Sequence, residues 1–343
     1  MLDLADAQRM WAPSCPYLNT ASYGLPPRPA WEALQAALED WRGGRTSWEH
    51  WGEATERSRE LWARMAGVAP EQVAVAANVS SLVALVVAAL PEGTRVLAPD
   101  VDFTSLVWPF VARGLEVRTV PLRDLADAVD AETDVVAFSA VQSANGEVAD
   151  LDGVAAAAAE HGALTVCDAT HAFGWMPLDA SRFDAVAAHA YKWLMSPRGT
   201  AFLALGDRLA DRVPPLAANW YAAADPRGGY YGLPMRLASS ARRLDLSPAW
   251  FSWVGTAPAL EVVLEIGVEA IRRHNLALAN RFRAGLGLEP SDSAIVSAEI
   301  LGAAEKLERA GIRAATRAGS LRASFHVYNT EADVDAALAA LLD

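Results

Sequence analysis

Leu164-Thr-Val-Cys-Asp-Ala-Thr-His-Ala-Phe-Gly174 and Ala185-Val-Ala-Ala-His-Ala-Tyr-Lys-Trp-Leu194 are the two stretches that decide the fold. Each opens on a short apolar run of the kind that makes a fully buried strand, and each leads to an ionisable residue, Asp168 in the first and Lys192 in the second. Runs of the same type lie upstream at Val73 to Ala77, Arg95 to Ala98, Glu116 to Val120 and Asp134 to Phe138. Helical stretches separate them at Ser80 to Leu90, Thr104 to Arg113 and Leu151 to His161, the last behind Asp150 or Asp152 as N-cap. This alternation predicts an α/β core from about residue 70 to 215, a mostly parallel, doubly wound sheet covered on both faces. Thr200 to Leu205 follows Arg198-Gly199 so closely that it is expected to enter by a hairpin.

Outside this core, residues 1–70 read as an extended arm and two helices separated by Arg42-Gly-Gly-Arg45. Val213 to Pro248, rich in Tyr, Pro and Gly, reads as loops near a site. A helical pattern runs from Thr256 to about Leu286, and strands near Ile295 to Ser297, Ile312 to Thr316 and Leu321 to Val327 predict a smaller α/β domain. The expected division is therefore 1–70, 71–255 and 256–343.

The chain has 343 residues and a net charge of -13, with 29 basic against 42 acidic residues, so it presents no diffuse positive field for nucleic acid or anionic lipid. Met1 to Arg9 lacks a basic region leading into an apolar one, and the longest apolar run, Leu82 to Leu90, is too short for a membrane span. Cys15 and Cys167 are too few for a disulfide framework or a thiolate zinc site, which points to a reducing cytoplasm and to no metal.

Of the 29 basic residues only Lys192 and Lys306 are lysines. Lys306 sits in Ala303-Ala-Glu-Lys-Leu-Glu-Arg-Ala310, the pattern of a solvated helix face. Lys192 follows an apolar strand between Tyr191 and Trp193, where an ammonium would be desolvated and its pKa pushed down. Asp168, at the carboxyl end of the neighbouring strand, is either an N-cap or a carboxylate holding a protonated ring nitrogen, with Lys192 forming a Schiff base to an aldehyde cofactor such as pyridoxal phosphate. The dinucleotide glycine fingerprint, the phosphate loop, His-Glu-x-x-His, Cys-x-x-Cys and Gly-x-Ser-x-Gly are all missing.

Asp168-Ala-Thr-His-Ala-Phe-Gly174, Ala190-Tyr-Lys-Trp-Leu194 and Pro197-Arg-Gly-Thr-Ala-Phe-Leu203 together resemble the class V aminotransferases of fold type I, relatives of cysteine desulfurase, kynureninase and isopenicillin N epimerase. The resemblance extends to Tyr17-Leu-Asn-Thr-Ala-Ser-Tyr-Gly24 and Leu321-Arg-Ala-Ser-Phe-His-Val-Tyr-Asn-Thr330. It implies a large domain with a mostly parallel seven-stranded sheet, a smaller C-terminal domain, pyridoxal 5'-phosphate as cofactor and a homodimer with shared sites. Lys192 matches the Schiff-base lysine, Asp168 the partner of the pyridine nitrogen, and His171 the neighbour of the ring 3-hydroxyl. Ser143, in Gln142-Ser-Ala-Asn-Gly146, aligns with another polar neighbour of that oxygen, and Phe103 with the ring stacked on the cofactor, the plain alternative being a core phenylalanine. Val79 and Ser80, where Asn78-Val-Ser-Ser81 opens a helix, match the phosphate donors, or Ser80 simply caps the helix. His189 and Tyr191 stand where relatives carry serine and histidine beside the phosphate. In Arg242-Arg-Leu-Asp-Leu-Ser247, Ser247 matches the hydroxyl that reaches the partner subunit's phosphate, with Thr256 the competing register. Arg322 matches the arginine that grips the substrate α-carboxylate, with Asn19 as an added donor.

The resemblance implies an enzyme that acts on a small α-amino acid through an external aldimine, with aminotransferase-type chemistry favoured. Carbon-sulfur or other β-elimination and racemisation or epimerisation stand as alternatives. No cysteine lies between Ala294 and Arg322, which disfavours persulfide chemistry. A binding protein that keeps the fold without turnover is the reading from a different class.

Overall fold

The computed structural model describes residues 2–342. The central sheet has seven strands: β1 (Val73–Ala76), β2 (Arg95–Pro99), β3 (Glu116–Val120), β4 (Val135–Ser139), β5 (Leu164–Asp168), β6 (Ala185–His189) and β7 (Ala201–Leu205), in the order β1-β7-β6-β5-β4-β2-β3. Pairing is parallel from β6 through β5, β4 and β2 to β3, whereas β7 pairs antiparallel with both β6 and β1. The hairpin expected for Thr200 to Leu205 is thus present. β4 and β5 are buried at every position, as their continuous apolar runs require.

Both faces are covered. On one, Trp62 of the helix Trp48–Ala66 stacks on Phe202 at 5.1 Å and 8°, and the helix Trp250–Ile266 packs beside it. On the other lie the helices Val79–Ala88 and Thr104–Ala112. The helix Leu151–His161 starts with Asp150 accepting from Gly153 N, so Asp150 is its cap. The second sheet is β8 (Ile295–Ala298), β9 (Ala315–Arg317) and β10 (Ser320–Ser324), antiparallel in the order β8-β10-β9.

Several sequence expectations need correction. The long helical pattern begins at Trp250 rather than Thr256, and it breaks at Gly267, whose φ of 89° ends the first helix before Val268–Gly285 begins. A line drawn at 255/256 therefore cuts through a helix, which carries Pro258 within it. Residues 4–8 of the arm form a short helix behind Asp3. β10 stops at Ser324 because His326 N turns to Asn329 Oδ1 at 2.8 Å, and β9 starts late, at Ala315.

The arm ties the two sheets together. Tyr17 bridges to Arg313 and Asn19 to Ser324, and Gly24 N then donates to Tyr191 O at 2.9 Å. A Cβ at Gly24 would overlap the Lys192 carbonyl, and one at Gly174, with φ of 100°, would overlap that of Trp193. The backbone of Lys192 and Trp193 is thus held from two sides. Among the described residues no helix is long and apolar enough to cross a membrane, and no cluster of His, Cys, Asp and Glu could hold a metal ion.

Candidate active site

The chain passes from β2 to β3 in one direction and returns to β4 on the other side of β2, so the strand order reverses between β2 and β4. Crevices at such points, beyond the carboxyl ends of the strands, are where ligands bind in open α/β sheets. Asp102, just past β2, pins this crevice: its carboxylate accepts from Ser139 N at 2.7 Å and Gln142 Nε2 at 3.0 Å. Phe103 follows. Its ring is 47% exposed, so it is no core phenylalanine, and Lys192 Nζ lies 5.5 Å from its centroid.

Asp168 is buried at the end of β5, and its Oδ1 accepts from Thr170 N at 2.8 Å. It therefore caps a turn, since no helix follows it. Burial raises its pKa against the pull of Thr170 and Lys192. Lys192 is buried as well, and burial pushes its pKa down to about 7, opposed by Asp168 and assisted by Arg322, Arg317 and Arg198.

His171 lies between these groups. Its Nε2 is 2.8 Å from Lys192 Nζ, and its Nδ1 accepts from Trp193 Nε1 at 3.2 Å. Indole nitrogen is donor only, so the imidazole carries its proton on Nε2. That proton can reach Lys192 Nζ only if the amine has a free lone pair. The pattern thus fits an uncharged lysine, and burial keeps His171 well below its usual pKa. Trp175 Nε1 fixes the histidine backbone by donating to His171 O at 2.6 Å, and buried His326 meets Trp193 O at 2.9 Å. Trp175 lies just past one quoted motif, while Trp193 and His326 lie within others without a role being assigned to them.

The neutral-amine form has a direct check. Acylation of the cofactor-free protein by trace acetic anhydride should give a Lys192 rate that rises through pH 7 and levels off above it, because only the deprotonated amine reacts. Lys306 is the one other lysine, so peptide mapping separates the two. A midpoint near 10 would contradict the assignment.

On the other side of Lys192, the helix Val79–Ala88 is capped by Asn78, not Ser80: Asn78 Oδ1 accepts from Ser81 N at 2.9 Å and from Ser80 Oγ at 2.8 Å. Val79 N donates to His189 Nε2 at 3.2 Å. This leaves the His189 proton on Nδ1, a buried donor with no partner, and burial lowers that pKa to about 3. The His189 ring meets Tyr191 edge-on at 5.0 Å, and Tyr191 packs on Tyr23 and lies under Arg198.

The remaining wall is built on Arg322, which is buried and, among the described residues, has no carboxylate partner. Nη1 donates to Ser143 O at 2.5 Å and Ser143 Oγ at 3.2 Å, Nη2 donates to Ser22 Oγ at 2.9 Å, and Nε has no partner. Burial, with Arg317 adding to it, lowers its pKa to about 10. Ser143, expected beside a cofactor oxygen, accepts from this guanidinium through its carbonyl and hydroxyl and keeps its O–H as a donor. Asn19 Oδ1 is buried and unpartnered, and its carbonyl accepts from Ser22 N. Ser247 is exposed, whereas Thr256 is buried and donates to Ser252 O at 2.8 Å, so only the Ser247 register faces outward. Behind Ser247, Asp245 pairs with Arg59 at 2.6 Å and accepts from Val75 N at 2.9 Å, a buried link that the sequence reading did not find.

Residues 17–299 match the family model described as aminotransferase class-V. The chain belongs to the class V aminotransferase family. It is 28% identical over 316 residues to an uncharacterized aminotransferase, YcbU, of Bacillus subtilis, covering 84% of this chain and 83% of that one. It is 31% identical over 263 residues to isopenicillin N epimerase of Streptomyces clavuligerus, covering 68% and 65% respectively. Among solved structures, a C-DES variant with glycine covalently linked to its PLP cofactor superposes with a TM-score of 0.88 at 21% identity, covering 100% of both chains. This last likeness shows the fold, the fold type I arrangement expected from the class V motifs.

Proposed function

We propose that this class V family member is a pyridoxal 5'-phosphate enzyme that acts on an α-amino acid, with aminotransferase-type chemistry, in the cytoplasm. The observation that carries the reading is a buried lysine 2.8 Å from His171 Nε2, its pKa pushed down to about 7, with a buried carboxylate at the end of the neighbouring strand. Burying an ammonium costs several kcal/mol, and desolvated titratable groups of this kind cluster at functional sites.

The side chains fit the cofactor. Lys192 supplies a neutral amine for its aldehyde carbon, Asp168 a buried acceptor for a protonated ring nitrogen, and half-exposed Phe103 a face for the ring. His171 lies within reach of the same space. The amide of Ser80 at a helix N-terminus, the unpartnered His189 Nδ1–H and the neighbouring Tyr191 suit a phosphate, whereas the Val79 amide, expected there too, is spent on His189 Nε2. When bound, pyridoxal phosphate supplies an electron sink for charge at the substrate Cα. Lys192 Nζ takes and returns the proton at that carbon, and His171 Nε2–H orients the amine for it. Arg322 holds the α-carboxylate, and Asn19 borders it. Cys167 cannot serve persulfide chemistry, because it is buried in β5 with its thiol pKa pushed well up.

The test is direct. Protein loaded with pyridoxal 5'-phosphate should show a visible absorbance band that borohydride removes, and a panel of amino acids with keto-acid acceptors should yield exchanged keto and amino acids. Release of pyruvate and ammonia would assign elimination, inversion at Cα would assign racemisation, and no turnover would leave a binding protein.

Arg322→Lys keeps the charge but loses the planar fork. At roughly 1.5 to 3 kcal/mol for a charge-assisted bond, apparent amino-acid affinity should fall more than tenfold, while the visible spectrum stays the same. Normal processing of amino acids by this variant would remove Arg322 from the carboxylate role.

We further propose a homodimer with shared sites, supported by exposed Ser247 and by Tyr231, Leu233 and Met235, exposed at 95%, 92% and 64% in the same loop-rich region. Ser247→Ala should weaken cofactor affinity modestly, by about fivefold for one neutral donor. Light scattering that finds a fully active monomer would overturn the shared site.

A further inference from the structure

The wall at Arg322 carries more positive charge than one carboxylate needs. Arg317 ends β9 and Arg322 lies in β10, and the turn between the two strands, Ala318-Gly319, holds φ of 48° and 83°. The left-handed region disfavours a non-glycine residue such as Ala318, so the hairpin keeps its shape against a local preference. Arg317 Nη2 donates to Ser22 Oγ at 3.2 Å, and Arg322 Nη2 donates to the same oxygen at 2.9 Å. Among the described residues Arg317 otherwise donates only to Thr316 O, and Arg322 only to Ser143, so neither meets a carboxylate there.

A serine oxygen has two acceptor sites and one O–H. Both acceptor sites of Ser22 are taken by guanidinium groups, which leaves it a donor. Arg322 Nε adds a buried donor without a partner. Ser22 and the two guanidinium groups therefore offer a ligand only donors, in a chain whose acids outnumber its bases 42 to 29. Two guanidinium groups on one oxygen repel each other until anions come between or beside them. They also lie at different depths, Arg322 at 1% exposure and Arg317 on the exposed end of the hairpin.

We infer that Arg317, Ser22 and Arg322 form a subsite for two anionic groups, and that the substrate is an acidic α-amino acid. Arg322 takes the α-carboxylate, and Arg317 takes the anionic group of the side chain. The assignment rests on the reading of the site as one for an α-amino acid.

Calorimetric titration of the cofactor-loaded protein with propionate, succinate and glutarate tests it, since none of the three has an amine to react. At least one dicarboxylate should bind more than tenfold tighter than propionate, and Arg317→Gln should bring that ratio close to one. The same substitution should lower kcat/KM for aspartate or glutamate relative to alanine by a similar factor, mainly through KM. Equal affinity of the wild type for all three acids overturns the inference. So does an Arg317→Gln protein that weakens propionate and dicarboxylates alike, which would place both guanidinium groups on one carboxylate. The visible absorbance of the same samples reports separately on the cofactor: a protein without it refutes the functional reading, while the carboxylate ratio still decides the subsite.

Discussion

Lys192→Ala should abolish amino-acid turnover and the borohydride-removable band, and it should leave the protein folded. Loss of both the amine that holds the cofactor and the group that moves the α-proton should cost at least about 10⁴ in rate, the upper range for general acid–base catalysis alone. The fold should survive because the replaced side chain is a desolvated one. Lys192 has a folded pKa of about 7, below its usual 10.5, so between these values the unfolded chain binds more protons and wild-type stability rises with pH. The burial penalty is fully present below pH 7 and fades toward pH 10.5. Thermal unfolding should therefore show the alanine variant gaining on wild type at pH 6 and losing that gain toward pH 10. A borohydride-fixed adduct mapped to Lys306 would refute the assignment outright.

Asp168→Asn should slow loss of the substrate α-proton by roughly 10² to 10³, the scale for removing one preorganised electrostatic partner, while cofactor remains bound. Asparagine can still accept from Thr170 N through Oδ1, so the turn after β5 persists and the defect is chemical. Exchange of the α-proton with solvent deuterium reads that step in isolation. Wild-type exchange in this variant would reduce Asp168 to the cap of its turn.

Much of this arrangement was legible in the sequence because parallel strands buried on both faces must be apolar throughout, as β4 and β5 are. The residues at their carboxyl ends then stand out against them. The missing parts involve partners distant in sequence. Nothing near Trp193 announces that its indole sets the proton of His171, and nothing near Ser22 announces two arginines some 300 residues away. Capping by Ser80, the plain alternative to phosphate donation, fails because Asn78 Oδ1 takes the Ser81 amide, a choice that the string Asn78-Val-Ser-Ser81 leaves open. The early start of the helix at Trp250 was hidden by Gly255 and Pro258, residues that weaken a helix locally but are tolerated where tertiary packing supports it.

The arm from Tyr17 to Gly24 also sets the order in which the molecule can be completed. Its partners are Arg313, Ser324 and, through Thr20 Oγ1 at 2.5 Å, Tyr328, a contact that spans 308 residues. At translation rates of about 5–20 residues per second, the arm waits on the order of fifteen seconds to a minute after leaving the ribosome before those partners emerge. The central sheet can assemble in that interval, but the corner formed by Ser22 and Arg322 cannot. A nascent chain stalled before residue 313 should thus hold a folded sheet and Lys192 yet be unable to select an amino acid by its carboxylate.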